Sequence, residues 1–156
     1  EAIKRQSENQ IQNPLLEIID QIPKELILHK NTSGVCFVPR WARYPFEIWV
    51  VPRHRVSQVY DLDDEEIKNL SHLLLESSKM LDKVFDEPMP YTLAWQLAPK
   101  GYQDSHHLHW CFQPIKRSKT KLKYLAGVEQ ITGFYLVDLP PERSARILRG
   151  EEQPDE

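Results

Sequence analysis

The chain has 156 residues, a formal net charge of −3 and two cysteines, Cys36 and Cys111. That length makes one domain with enough apolar content for a core. The charge argues against a general nucleic-acid binder, which is normally basic, and two cysteines are too few for a disulfide framework, which fits a reducing cytoplasm. No apolar run is long enough to span a bilayer and no signal peptide opens the chain. The sequence begins without Met in a charged stretch, as a cut through a longer protein would.

Residues Glu1 to Gln12 are polar and of helical composition, and Pro14 restarts a short helix through Leu15, Leu16, Ile18 and Ile19 that Pro23 ends. Glu25 to Lys30 and Val35 to Val38 read as two strands joined by the turn composition Asn31-Thr32-Ser33-Gly34. Cys36 is then an apolar residue of its strand. After a loop rich in Arg and aromatics (Arg40 to Tyr44), Phe46 to Val51 is the strongest strand in the chain, stopped by Pro52. Asp63 and Glu66 have the spacing of a capping box. The helix behind them carries Ile67, Leu70, Leu74, Leu81 and Phe85 at helical intervals, reinforced by Leu73, Met80 and Val84, a stripe expected to be core. Pro88 and Pro90 end that region. Tyr91 to Leu97 is a further strand, with Tyr91, Leu93, Trp95 and Leu97 on one face and Thr92, Ala94 and Gln96 on the other.

A loop from Pro99 to Ser105 leads into His106-His107-Leu108-His109-Trp110-Cys111-Phe112-Gln113. With a period of two, His107, His109, Cys111 and Gln113 share one face, and Leu108, Trp110 and Phe112 supply apolar surface on the other. Imidazoles at i and i+2 on a rigid strand can attack a phosphorus, bind a metal or hydrogen-bond phosphate oxygens. A polar, half-solvated strand face is the plain alternative. His29, His54 and His72 read as surface or loop residues. Beyond Pro114 the run Lys116, Arg117, Lys119, Lys121 and Lys123 either meets phosphates or lies solvated. Gly127 to Val137 reads as a strand interrupted at Gly133, and Pro140-Pro141 opens a last helix, Glu142 to Arg149, with Gly150 past its end. Residues 1–150 form the domain, and 151–156 read as a disordered acidic tail. The expected class is α+β, an antiparallel sheet packed on one long helix with short terminal helices.

Several motifs line up with one family. Tyr44-Pro45-Phe46-Glu47-Ile48-Trp49-Val50-Val51-Pro52-Arg53, Asp61 to Glu66, His109-Trp110-Cys111, Gly127-Val128-Glu129, Thr132-Gly133-Phe134-Tyr135 and Pro140-Pro141-Glu142 resemble, in order, the C-terminal half of galactose-1-phosphate uridylyltransferases. The related ADP-glucose phosphorylases share much of this pattern. The resemblance runs from about Pro14 to Arg149. It implies a histidine-triad-like half-barrel of antiparallel strands, the second of two such repeats. In that family the nucleophilic histidine sits in a His-Pro-His motif of the first repeat, and the present sequence contains no His-Pro-His.

The resemblance also implies a structural metal, zinc or iron, at positions that here hold Glu1, Gln96, His109 and Cys111, with His107 as a ligand that could be recruited. Gln96 and Cys111 stand where the family has histidines. Parity independently puts Gln96 and the histidine face on equivalent sides of their strands, so they can meet across the sheet. By the family pattern Lys123 lies near the sugar phosphate and Glu129 hydrogen-bonds sugar hydroxyls, although Val128 replaces the family's aromatic. Implied partners are a nucleotide sugar, a hexose 1-phosphate, the N-terminal catalytic repeat and a second copy in a homodimer, with no nucleic acid or membrane.

Two other classes stay open. His107-x-His109-x-Cys111 fits the frame of single-domain histidine-triad proteins, which would make His109 the nucleophile of an autonomous nucleotide hydrolase or transferase. The chain could equally be a scaffold without turnover. Uridine versus adenosine is undecided.

Overall fold

The structure, a computed structural model, describes residues 13–155. The expectations for Glu1 to Gln12, including Glu1 as a metal ligand, lie outside the described residues. Helix α1 spans Pro14–Asp20, started by Pro14 at its first turn and by Asn13, whose side chain accepts from the Leu16 N–H. Strands β1 (Ile27–Lys30) and β2 (Gly34–Phe37) form the expected hairpin. Its turn closes because the Asn31 side-chain oxygen accepts from the N–H groups of Ser33 and Gly34, at 3.0 and 2.9 Å.

Strand β3 covers Ile48–Pro52, and β4 (Tyr91–Gln96) and β5 (His109–Pro114) complete one antiparallel sheet in the order β1-β2-β3-β5-β4. The long helix α2, Asp64–Lys83, opens with the capping box: Asp63 accepts from the Glu66 N–H at 2.8 Å and Glu66 accepts from the Asp63 N–H at 3.0 Å. It lies on the sheet through Leu70, Leu73, Ser77 and Leu81, all buried. Each fully buried leucine contributes roughly 1.5–3 kcal/mol. Cys36, Ile48, Val50, Trp110 and Phe112 meet this helix from the sheet side, and Val84 and Phe85 extend the core past its end. Gly34 allows the close approach of β2, since a Cβ there would come within 2.6 Å of Leu70 Cδ2.

The hydrophobic stripe needs one correction. Ile67 is 43 % exposed, because at 100° per residue it falls about 80° from the centre of the buried arc. Polar Ser77 occupies that centre, its hydroxyl donating to the Leu73 carbonyl at 2.8 Å and lying 3.1 Å from Cys36 Sγ. The other sheet face carries Val35, Phe37, Trp49 and Val51, against which Leu15, Leu16 and Ile19 of α1 pack.

The strand expected over Gly127 to Val137 is instead the helix α3, Gly127–Thr132. Val128, Ile131 and Thr132 look like strand residues, but Glu129 reaches back to the Ala126 N–H at 2.6 Å and Gly133 closes the helix at φ +72°. Helix α4, Pro141–Leu148, follows, with Gly150 at φ +76° beyond it. In the acidic tail Glu151 pairs with Arg149, Glu152 with Arg143 and Arg146, and Asp155 with Arg143.

Candidate functional site

Two clusters gather the candidate residues. The first is the histidine strand. β5 begins only at His109, so strand parity does not reach His107 and the expectation that it shares a ladder face with His109 is corrected. His107 is buried, 2 % exposed. Its Nε2–H donates to the Pro52 carbonyl at 2.9 Å and its Nδ1 accepts weakly from the Val56 N–H at 3.5 Å. Burial, the largest cause, pushes its pKa down to about 4, so the ring is neutral and holds β3 to the loop behind it.

His109 sits opposite Gln96 in the β4–β5 ladder, the meeting that parity predicts. Its ring stacks on Trp49 with centroids 4.7 Å apart. Nδ1–H donates to the His107 carbonyl at 2.8 Å, which leaves the Nε2 lone pair as the free basic position. Burial lowers its pKa as well. His106 lies beside it, rings 5.8 Å apart, with Nε2 3.2 Å from the Gln96 carbonyl. Cys111 pairs across the ladder with Trp49 and Ala94. Its thiol is pushed up to about 12, by burial first and by the Glu47 carboxylate second.

Among the described residues these side chains make a poor metal site: Gln96 offers an exposed amide and His107 has both nitrogens engaged, which leaves His109 and Cys111 as the competent donors of the four. Among the described residues no three His, Cys, Asp or Glu side chains come together to hold an ion.

The second cluster forms where loop 39–47 meets residues 123–136. Lys123 Nζ lies 2.8 Å from Glu129 Oε1, with side chains only 6 % and 2 % exposed. Lys123 also donates to the Leu136 carbonyl at 2.8 Å. Glu129 accepts from the N–H groups of Ala126 and Leu136, and these partners, Lys123 first, hold its carboxyl down at about 2. Lys123 and Glu129 are thus brought together, and with Tyr124, Arg117 and Asp138 they border a cavity of about 360 Å³. Of the rest of the basic run, Lys116 pairs with Glu87 and Arg117 with Asp138, while Lys119 and Lys121 are exposed.

The sequence reading overlooked Glu47, which joins the two clusters. It is 1 % exposed in the turn before β3. One carboxylate oxygen accepts from Trp49 Nε1 at 2.8 Å, and the other accepts from the backbone N–H groups of Arg43 and Tyr44, at 2.8 and 3.2 Å. It therefore fixes Trp49 under His109 and shapes the loop that sends Tyr44 toward Tyr135 and Lys123, with ring centroids 6.2 Å apart and Lys123 Nζ 5.9 Å from the Tyr44 ring. A carboxylate inside the most apolar run of the chain was the available signal.

Residues 7–155 match the family model described as galactose-1-phosphate uridyl transferase, C-terminal domain. The chain belongs to this family, as its C-terminal domain. A galactose-1-phosphate uridylyltransferase of Thermotoga maritima is 32 % identical over 154 residues, covering 97 % of this chain and 48 % of that protein. A solved structure of a uridylyltransferase superposes with a TM-score of 0.85 at 26 % identity, over 96 % of this chain and 48 % of that one. A Hit-like protein of Bartonella henselae shares the fold at 15 % identity, with a TM-score of 0.62 over 90 % of this chain and 96 % of that one. The chain thus spans about half the length of its uridylyltransferase relatives, and the expected histidine-triad-like α+β fold is the observed one.

Proposed function

We infer that this domain is the second half of a hexose-1-phosphate nucleotidyltransferase of the galactose-1-phosphate uridylyltransferase type. The observation that carries the reading is the match of nearly the whole chain to the C-terminal domain alone, in a sequence without His-Pro-His. Ping-pong transfer needs a nucleophile, groups that hold phosphates and a polar wall that reads the sugar. The nucleophile belongs to the N-terminal repeat, and the present domain supplies the wall. Glu129 already accepts three hydrogen bonds and keeps lone-pair capacity on Oε2 for a sugar hydroxyl. Lys123 keeps that carboxylate ionised. No step runs through a metal, and Gln96, His107, His109 and Cys111 shape the sheet face beside the partner repeat.

The same reading includes a homodimer and a cytoplasmic setting. Tyr124, Ile131, Phe134 and Leu136 are 61–86 % exposed on one lobe, 124–136, beside the Lys123–Glu129 cavity. Clustered apolar side chains of this kind suit a second copy, which would carry the lobe to its neighbour's substrate. Among the described residues no helix is long and apolar enough to cross a membrane.

The test incubates the chain with UDP-glucose and galactose 1-phosphate, alone and with the N-terminal half, following turnover and intact mass. We expect no nucleotidyl adduct on the chain alone and turnover only when both halves are present. An adduct on His109 of the isolated chain, or no turnover with the complete pair, overturns the reading.

A further inference from the structure

The cation that the family pattern offers to the phosphate, Lys123, is already neutralised by Glu129 and 6 % exposed. Another cation lies across one aromatic pair from it. Arg43 is exposed, and its guanidinium carbon sits 5.4 Å from the centroid of Tyr135, the ring that packs against Tyr44. Among the described residues its guanidinium has no carboxylate partner, a state it shares with Arg40 and Arg53, whereas Arg55, Arg117, Arg143, Arg146 and Arg149 are all paired; of the three, Arg43 is the one placed over an aromatic ring.

We propose that Arg43 is a phosphate-binding residue, its guanidinium held over the Tyr135 ring and taking two oxygens of the phosphate carried by a sugar phosphate or nucleotide sugar. The proposal rests on the transferase reading above for the identity of the ligand, and on geometry for the site.

Three physical arguments support it. A guanidinium over an aromatic face keeps its edge N–H groups free, and their planar fork matches a phosphate bidentately. The position is preorganised, because Glu47 accepts from the Arg43 and Tyr44 backbone N–H groups and Ala42 N–H donates to the Pro39 carbonyl at 3.1 Å, so little loop entropy remains to be lost on binding. Of the carboxylates nearby, Glu129 is paired with Lys123, and the charge of Glu47, which still raises the Tyr44 phenol, is opposed at this spot by Arg43 itself. Tyr44, raised above its ordinary pKa by burial first and by Tyr135, Glu47 and Glu129 after it, stays a phenol able to donate.

The experiment follows the Arg43 Nε–Hε resonance of the full 156-residue chain at low ionic strength. Galactose 1-phosphate, UDP-glucose and inorganic phosphate are titrated, with galactose as the neutral control. We expect the phosphorylated ligands to shift the resonance and galactose to leave it in place. Arg43→Gln should weaken their binding at least tenfold, and Arg43→Lys should recover only part of the loss. Tighter binding of galactose 1-phosphate than of inorganic phosphate identifies the sugar monoester as the ligand, and tighter UDP-glucose identifies the diphosphate. Unchanged binding in Arg43→Gln, or no response of Arg43 to any phosphorylated ligand, overturns the proposal. Turnover by the two halves with kcat and KM unaffected by Arg43→Gln also overturns it and leaves the transferase reading standing. Arg43-dependent phosphate binding without turnover supports the site and overturns the transferase reading instead.

Discussion

Lys123 and Glu129, six residues apart in sequence, make a buried ion pair of 2.8 Å from which three backbone contacts of the 126–136 lobe are organised. Glu129 is at once the cap of α3 and the anchor of the segment returning at Leu136. Substituting Glu129→Gln should loosen this lobe ahead of the rest of the domain, read as faster amide exchange at Ala126 and Leu136. The pH dependence has a definite sign. The folded carboxyl lies at about 2 against an ordinary value of 4.5, so the pair's contribution is complete above about pH 4.5 and is lost as pH falls toward 2. A protection factor at Leu136, taken relative to the free-peptide exchange rate at each pH, that stays constant across that interval would contradict the assignment.

His107 has a structural role that its place in a histidine run conceals. Replacing it by Phe keeps the ring volume but leaves the Pro52 carbonyl without its donor. An unsatisfied buried acceptor costs about 1–3 kcal/mol. The urea midpoint should fall accordingly, and a midpoint equal to that of the wild type would mean that this hydrogen bond contributes nothing.

If the sheet face makes a poor metal site for want of donors, better donors should improve it. Gln96→His with Cys111→His places imidazoles around His109, through the Gln96–His109 pairing and the i, i+2 relation within β5. The double variant should gain zinc-dependent thermal stability, roughly 2.7 kcal/mol when zinc exceeds its Kd a hundredfold. The wild type should show the same Tm with zinc and with chelator. Zinc stabilisation of the wild type would show that the existing side chains already hold the ion.

Packing at Gly34 is equally specific. A methyl group there meets Leu70 Cδ2 at 2.6 Å, Leu73 Cδ1 at 3.0 Å and the Val51 carbonyl at 3.1 Å. Gly34→Ala should destabilise the domain by about 1–3 kcal/mol, the usual cost of overpacking, as measured by chemical denaturation.

The proposed homodimer can be tested at Ile131, which is 86 % exposed. Ile131→Asp should leave monomer stability within about 0.5 kcal/mol, as surface changes normally do. It should nonetheless convert a dimer to a monomer in sedimentation velocity. An unchanged sedimentation coefficient would place the contact elsewhere.

By itself the sequence determined the class of fold, the capping box of α2, the β1–β2 hairpin and the pairing of Gln96 with His109. Each depends on local periodicity, on turn chemistry or on strand parity, and these are written in neighbouring residues. It misjudged Gly127 to Val137 because β-branched composition outweighed a helix set by one carboxylate and one left-handed glycine, Gly133. It passed over Glu47 and Arg43, and treated Lys123 and Glu129 as free groups. Only the tertiary structure decided that Glu47 links the two clusters and that Lys123 is neutralised while Arg43 is not. Those outcomes depend on which charges meet across long stretches of chain and how much water is left around them, and no local pattern in the sequence encodes either.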